Sequence, residues 1–413
     1  MKTSKTDFHN LFQNLRLHLQ ENALYMPPEY TKHEGTILIW PTRPGSWIYD
    51  GRDAKPTFCE MIYWLLQDED VHLIVDAAHI TEAEDMIFSY KEGIIPKLQD
   101  GIVTDPVTGE EKWEAVRSKK RGELSYHVFS TDDSWARDTG PIIVYDKKNG
   151  CRVGLDFGFN AWGGSYNGLY EDYANDAEVA VKICKDLGIK TLDLRDFILE
   201  GGSIHTDGEG TLLTTGTCLL SPGRNPDLSK EEIEELLCIA LGAKKVWWLP
   251  AGMFGDETDE HVDNMCAFLK PGTVALAWCE DESDPQYENC RKSYEYLQSA
   301  VDAQGRKPEI VLLPIPKEPV CITEEELAGF VFAPGEDERE VGERLSASYV
   351  NFYIANNKIL FPQFGDENDE VALEIMREKM SDYEVCPIYT KSLLLGGGNI
   401  HCLTQQIPVA PEK

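Results

Sequence analysis

Near the C-terminus the run Leu393-Leu394-Leu395 enters Gly396-Gly397-Gly398 and continues as Asn399-Ile400-His401-Cys402-Leu403-Thr404-Gln405-Gln406. Three consecutive glycines permit sharp turns and close backbone approach, and the chain leaves them by delivering a cysteine among hydrogen-bonding neighbours. A thiol attacks as its thiolate, and His401, Asn399 and the freed amides of the glycine loop are the groups at hand to favour that state. The plainer role for any single cysteine is that of a small buried hydrophobe.

A second constellation is Asp256-Glu257-Thr258-Asp259-Glu260-His261-Val262-Asp263-Asn264. If His261 begins a strand, the period of two sets His261 and Asp263 on one face, where a carboxylate would orient the imidazole and raise its pKa for general acid–base work. An acidic surface turn running into a core strand is the alternative. A third, Asp132-Asp133-Ser134-Trp135-Ala136-Arg137-Asp138-Thr139-Gly140-Pro141, places a tryptophan, an arginine and carboxylates at the entrance to the strand Ile142-Ile143-Val144, although Asp138 could equally pair with Arg137 or cap a turn. A fourth, Asp156-Phe157-Gly158-Phe159-Asn160-Ala161-Trp162-Gly163-Gly164, reads as a cavity-lining loop or as core filling. Taken together these are one thiol, one histidine and two aspartates from separate segments. Two carboxylates can grip a planar cation through paired N–H···O bonds, so the set points to a guanidino substrate.

The elements that must position these groups alternate between short apolar strands and helices. Strands are expected at 36–40, 71–75, 126–130, 141–145, 153–157, 210–220, 245–249, 273–278, 309–313, 348–354 and 358–361. Helices are expected at 57–66, 81–98, 171–187, 230–241, 286–304 and 370–380. This is an α/β pattern. Residues 5–24 carry Phe8, Leu11, Leu15, Leu17 and Leu19 at loosely helical spacing, and Met26-Pro27-Pro28 stops them, which predicts an N-terminal helical extension over 1–25 and one main domain over 26–413. Gly201-Gly202-Ser203-Ile204-His205-Thr206 repeats in type as Gly397-Gly398-Asn399-Ile400-His401-Cys402, which hints at a repeated module. The most polar stretch, Gly335 to Glu340, reads as an exposed loop.

The 413 residues carry a net charge of −33, a surface that should repel nucleic acid. Eleven cysteines without a C-x-x-C pair suit reduced thiols in a cytoplasmic compartment better than a disulfide framework or a zinc cluster. Neither a signal peptide nor a run approaching the roughly 18 apolar residues of a membrane span is visible.

The ordered motifs Trp135 to Pro141, Phe159 to Gly164, Leu199-Glu200-Gly201-Gly202-Ser203-Ile204-His205, Glu257 to Asn264, Ser348-Tyr349-Val350-Asn351-Phe352-Tyr353 and Gly396 to Gln406 together resemble agmatine deiminases, within the superfamily that also holds bacterial peptidylarginine deiminases. The resemblance implies a five-bladed α/β propeller (pentein) of repeated ββαβ units around a substrate-sized channel. It implies Cys402 as nucleophile, His261 as acid/base, Asp138 and Asp263 as guanidinium-binding carboxylates, Glu257 at the far amine and Trp135 against the carbon chain. It further implies a homo-oligomer, often a dimer, that needs no metal or organic cofactor and converts agmatine to N-carbamoylputrescine and ammonia through a covalent thiouronium, towards putrescine. One departure is that Glu260 stands where such sequences usually have glycine before the histidine; a positive φ there would cost a glutamate of order 1 kcal/mol. Competing expectations are a peptidylarginine deiminase, a thiol protease or transglutaminase-like enzyme, and a non-catalytic polyamine-binding protein.

Overall fold

Five times the same construction recurs in the computed structural model, which describes residues 23–99, 102–104, 111–113, 122–334, 336 and 338–411. Two antiparallel strands are followed by a helix, and a third strand returns parallel to the second. The triplets are Ile142–Asp146, Cys151–Gly158 and Lys190–Ile198; Ile204–Thr206, Thr211–Thr215 and Lys245–Leu249; Cys266–Lys270, Thr273–Trp278 and Glu309–Pro314; and Tyr353–Ala355, Lys358–Gln363 and Glu384–Tyr389. In the fifth the two ends of the chain meet: Gln405–Pro408 pairs antiparallel with His33–Ile39, which pairs parallel with Asp70–Val75 and through it with Leu124–Val128. Leu24–Tyr25 adds a short edge to the first sheet. The two copies of Gly-Gly-x-Ile-His both lie at the entrance to a triplet but in different places: Ile204 and His205 are in the first strand itself, whereas Ile400 and His401 are in the helical turn before it.

Local chemistry explains why the crossovers are helical. In Lys230–Leu241, Ser229 and Glu232 form a capping box, Gly242 ends the helix at φ 70°, and Ile233, Leu236, Leu237, Ala240 and Leu241 form one buried stripe. The middle strands are covered on both faces, so Thr273–Trp278 is almost wholly buried and reads as a continuous apolar run. At about 25 cal/mol per Å² of apolar surface, such stripes and strands supply the main drive for each unit to close.

Several expected boundaries move. The helix expected over 5–24 lies outside the described residues except at its end, where Leu24–Tyr25 is strand. The strand expected over 210–220 stops at Thr215, whose hydroxyl accepts from the Cys218 amide and starts a helical turn. The strand expected from 348 begins at Tyr353. The helix expected from 171 begins at Val179, after a separate 3-10 turn over Asp176–Glu178, where Asp176 accepts from the Asp132 and Asp133 amides and the Tyr170 hydroxyl. The helix expected to reach 304 ends at Ser299. Lys190–Ile198 and Glu384–Tyr389 were not expected: one alternates with charged residues and the other contains Pro387, both marks of an outer strand. None of the eleven cysteines is in a disulfide, and among the described residues no helix is long and apolar enough to cross a membrane.

Candidate active site

Each first strand is preceded by a single turn, and those five turns meet. The turns are Ala136–Thr139, Gly201–Ser203, Val262–Met265, the segment 348–352 and Ile400–Leu403. The Gly202 amide donates to Asp138 Oδ1 at 2.9 Å, Asn351 Nδ2 donates to Asn264 Oδ1 at 2.8 Å, the His401 amide donates to Asn351 Oδ1 at 2.9 Å, and Arg137 Nε donates to the His401 carbonyl at 3.3 Å. From the Val262–Met265 turn to Gly202 the link is close packing rather than a bond. A Cβ there would lie 2.6 Å from His261 Nδ1 and 3.0 Å from both Asp138 Oδ1 and Asp263 Oδ2, so only glycine lets the three groups close on one point.

Beside that point is a cavity of about 560 Å³ lined by, among others, Trp135, Asp138, Trp162, Glu257, His261 and Cys402. The structure thus brings Cys402, His261, Asp138 and Asp263 together and sets Trp135 and Glu257 on the wall. Trp135 packs on Trp47 with ring centroids 5.3 Å apart. A Cβ on Gly398 would fall 2.5 Å from its ring, and Gly397 holds φ 109°, so the glycine run exists to pass the indole and deliver the thiol.

Cys402 receives a hydrogen bond from Asn351 Nδ2 at 3.2 Å and lies 3.5 Å from Asp263 Oδ2. Burial, with the charges of Asp263 and Asp138, pushes its pKa well up, so the resting group is a thiol. Burial likewise raises Asp138, to about 6, against the pull of His261. Its oxygens accept from the Gly202 amide and from Trp162 Nε1 at 2.9 Å each. Asp263 goes the other way: burial opposes it, but the hydrogen bond and charge of His401 hold it below the usual carboxylate range. Its Oδ1 is buried without a hydrogen-bond partner.

His261 is the residue before a helical turn, not the first of a strand, so the period-two reading is corrected. The carboxylates flanking its ring are Glu200 at 3.7 Å and Asp138 at 3.9 Å, while Asp263 turns to His401. Burial works against its charged form, yet Asp138, Cys218 and Glu200 raise its pKa well above the ordinary value and make it an imidazolium at neutral pH. His401 does not face the thiol either. Its ring lies between Asp263 and Glu29, so the positive environment expected of it for Cys402 goes to Asp263 instead.

Glu260 adopts φ 67° and Asp259 φ 62°. The strained turn is held by Glu260 Oε2 accepting from the Gly252 amide at 2.6 Å and its carbonyl accepting from Thr215 Oγ1 at 2.7 Å. Arg224, fully buried, ion-pairs with Glu200 at 2.8 Å and donates to Asp259 and to the Thr258 carbonyl. Glu257 is already occupied. Arg339 donates to it at 2.7 Å and also pairs with Glu343. Glu200, Asn351 and Arg224 received no role from sequence, although the first two lie inside motifs noted there; each has its effect through a partner distant in the chain. Two buried trios, Glu29/His205/His401 and Glu200/Cys218/His261, have metal-ligand atoms within 4.8 Å of one another.

The family described as Porphyromonas-type peptidyl-arginine deiminase matches residues 25–408. A curated relative from Selenomonas ruminantium bearing the name "Putative agmatine deiminase" is 50% identical over 387 residues, 94% of this chain and 96% of the relative. Among solved structures, an agmatine deiminase of Enterococcus faecalis superposes with a TM-score of 0.82 at 35% identity, covering 94% of this chain and 96% of that one. An agmatine deiminase from C. jejuni does so with a TM-score of 0.71 at 26% identity, covering 94% and 97%.

Proposed function

The chain belongs to the Porphyromonas-type peptidyl-arginine deiminase family, and from that premise we propose that it hydrolyses agmatine to N-carbamoylputrescine and ammonia, a step towards putrescine. The observation that carries this reading is the convergence of two buried carboxylates with different ionisation, an imidazolium and a thiol beside one cavity. Five like sheets, joined through their entry turns and closed by pairing of the two chain ends, support a five-bladed propeller and a single catalytic domain from residue 26 onward.

Asp138 and Asp263 hold the guanidinium charged and keep its central carbon electrophilic. The incoming cation offsets the two negative charges that hold the Cys402 proton, and that proton leaves to solvent as substrate binds. The thiolate adds to the central carbon. The His261 imidazolium then protonates the departing nitrogen, the C–N bond breaks, and ammonia leaves an S-alkylthiouronium on Cys402. Neutral His261 takes a proton from water as its oxygen adds to the same carbon; the C–S bond breaks, the ureido product departs, and its surplus proton returns to the thiolate. Glu200, buried against Arg224, keeps the imidazole turned and charged.

Trp135 flanks the carbon chain and Glu257 meets the far amine. A second reading has one specific observation behind it: Arg339 on Glu257 is the type of group that would receive a carboxylate or peptide backbone. Ammonia release from agmatine, free arginine and an arginine peptide separates the two. Turnover of agmatine alone, abolished in Cys402→Ala, supports the first, and peptide turnover comparable to that of agmatine overturns it.

A further inference from the structure

We propose that His401, clamped by Glu29, is a positioning residue that keeps Asp263 ionised and turned towards the guanidinium. This rests on the reading above that Asp263 binds that group. Behind the cavity floor, His401 Nδ1 lies 2.8 Å from Asp263 Oδ2 and Nε2 lies 2.8 Å from Glu29 Oε2. All three side chains are buried. A neutral imidazole has one N–H, so one of these contacts would set a lone pair against a carboxylate; a doubly protonated ring satisfies both.

The groups around the chain agree with that charge state. Arg137 Nη2 lies 3.2 Å from Glu29 Oε2, and the Ile354 amide donates to Glu29 Oε1 at 2.8 Å, which together keep Glu29 ionised. The His205 ring stacks on His401 with centroids 5.9 Å apart, and its Nδ1 accepts from the Phe268 amide at 3.3 Å. Burial, joined by the charges of His401 and Arg137, pulls His205 down to about 4, so it adds no competing cation. Asp263 faces His401, His261, Asp138, Arg137 and the Cys402 thiol. The chain Asp263, His401, Glu29, Arg137 thus alternates in charge and sums to zero inside the protein.

The consequence is that one bond fixes the carboxylate where it acts. His401 anchors Oδ2, the oxygen that also lies 3.5 Å from the Cys402 sulfur. It also breaks the symmetry of the acid pair, because two neighbouring buried carboxylates tend to share one proton unless a cation favours one of them.

The test measures agmatine binding by calorimetry from pH 5.5 to 8.5 in Cys402→Ala protein, alone and combined with His401→Gln or Glu29→Gln. The glutamine can still donate to Asp263 but carries no charge, so the Asp263 pKa should rise. Binding should weaken by about 30-fold or more near pH 6 and by only several-fold at pH 8, with Glu29→Gln intermediate. A loss of the same size at every pH would make His401 merely structural and overturn the proposal. In parallel, 15N spectra of histidine-labelled, otherwise unsubstituted protein should show the His401 ring doubly protonated at pH 7; a singly protonated ring overturns the proposal even if the His401 variant fails to fold. Absence of agmatine binding in the Cys402→Ala parent would instead sink the functional reading itself, an outcome distinct from a pH-independent loss.

Discussion

At the cavity floor Asp138 accepts from a backbone amide and an indole, Asp263 pairs with a buried imidazole, and Cys402 receives a carboxamide, all from neighbouring turns and all close to fully buried. At the mouth Glu257 holds Arg339 and Glu336 holds Arg43, with side chains between 9% and 23% exposed. The floor is built of groups whose partners cannot be replaced by water without leaving a buried charge alone; the mouth is built of ion pairs that water or a substrate can replace. Buried charges of the first kind cost about 3–5 kcal/mol when one partner is removed, whereas partly solvated pairs of the second kind cost less, towards the about 0–1 kcal/mol of a fully exposed pair. On the proposed function, the chemistry is fixed by the floor and selectivity is adjustable at the mouth.

The largest expected effect follows at the floor. Cys402→Ala should lower agmatine turnover by at least ~1,000-fold in an ammonia assay and leave no covalent adduct by mass spectrometry, since no other group can form the C–S bond. Residual turnover within tenfold of the parent would move the nucleophile elsewhere and dissolve the contrast between floor and mouth.

Next come the carboxylates. Asp263→Asn and Asp138→Asn should each reduce kcat/KM for agmatine by roughly 100-fold to a few thousand-fold, the scale of a broken buried pair. Asp138 also dictates a pH dependence. Its pKa is raised to about 6, so the acceptor is charged above that value and is lost as pH falls through it; below pH about 6 kcat/KM should fall by roughly a further tenfold per unit, beyond the dependence set by release of the Cys402 proton. Because bound substrate is a cation that favours the ionised form, kcat should hold to lower pH than kcat/KM. A flat kcat/KM between pH 5 and 7 would remove Asp138 from binding.

The mouth should respond more weakly and in both directions. Glu257→Gln should raise KM for agmatine about two- to fivefold, and Arg339→Ala, by freeing Glu257, should lower it by a similar factor, with kcat little changed in each. If Arg339→Ala instead abolishes turnover of an arginine peptide that the parent accepts, Arg339 is a recognition group for backbone carboxylate and the mouth selects a larger substrate.

The same contrast explains what could be read from sequence. Cys402, His261, Asp138 and Asp263 came forward as candidates because each sits in a contiguous motif of the resembled family, and the structure places the four side chains together. The partners that tune them were not: Glu29 is 372 residues from His401, and Asn351 is 51 from Cys402. Adjacency misled at His401, which borders the thiol in the chain but turns to Asp263, and at Glu257, whose pairing with Arg339 comes from a polar loop that reads as solvated surface. The middle strands were found because burial on both faces makes them apolar throughout, whereas Lys190–Ile198 was missed because its mixed burial mixes its composition.

The smallest effect concerns the turn that links the two regions. Glu260→Ala keeps φ 67° and gives up the hydrogen bond to the Gly252 amide, so it should destabilise the fold by about 1–2 kcal/mol. Glu260→Gly gives up the same bond but relieves about 1 kcal/mol of backbone strain, while adding a comparable entropy to the unfolded chain, so it should fall close to Glu260→Ala. Equal denaturant midpoints for the parent and Glu260→Ala would mean that the Gly252 contact contributes nothing. The glutamate would then be a tolerated substitution rather than a brace, and the mouth-side loop would be held by Thr215 on the residue-260 carbonyl, Asn167 on Asp259, and Arg224 on Asp259 and the Thr258 carbonyl.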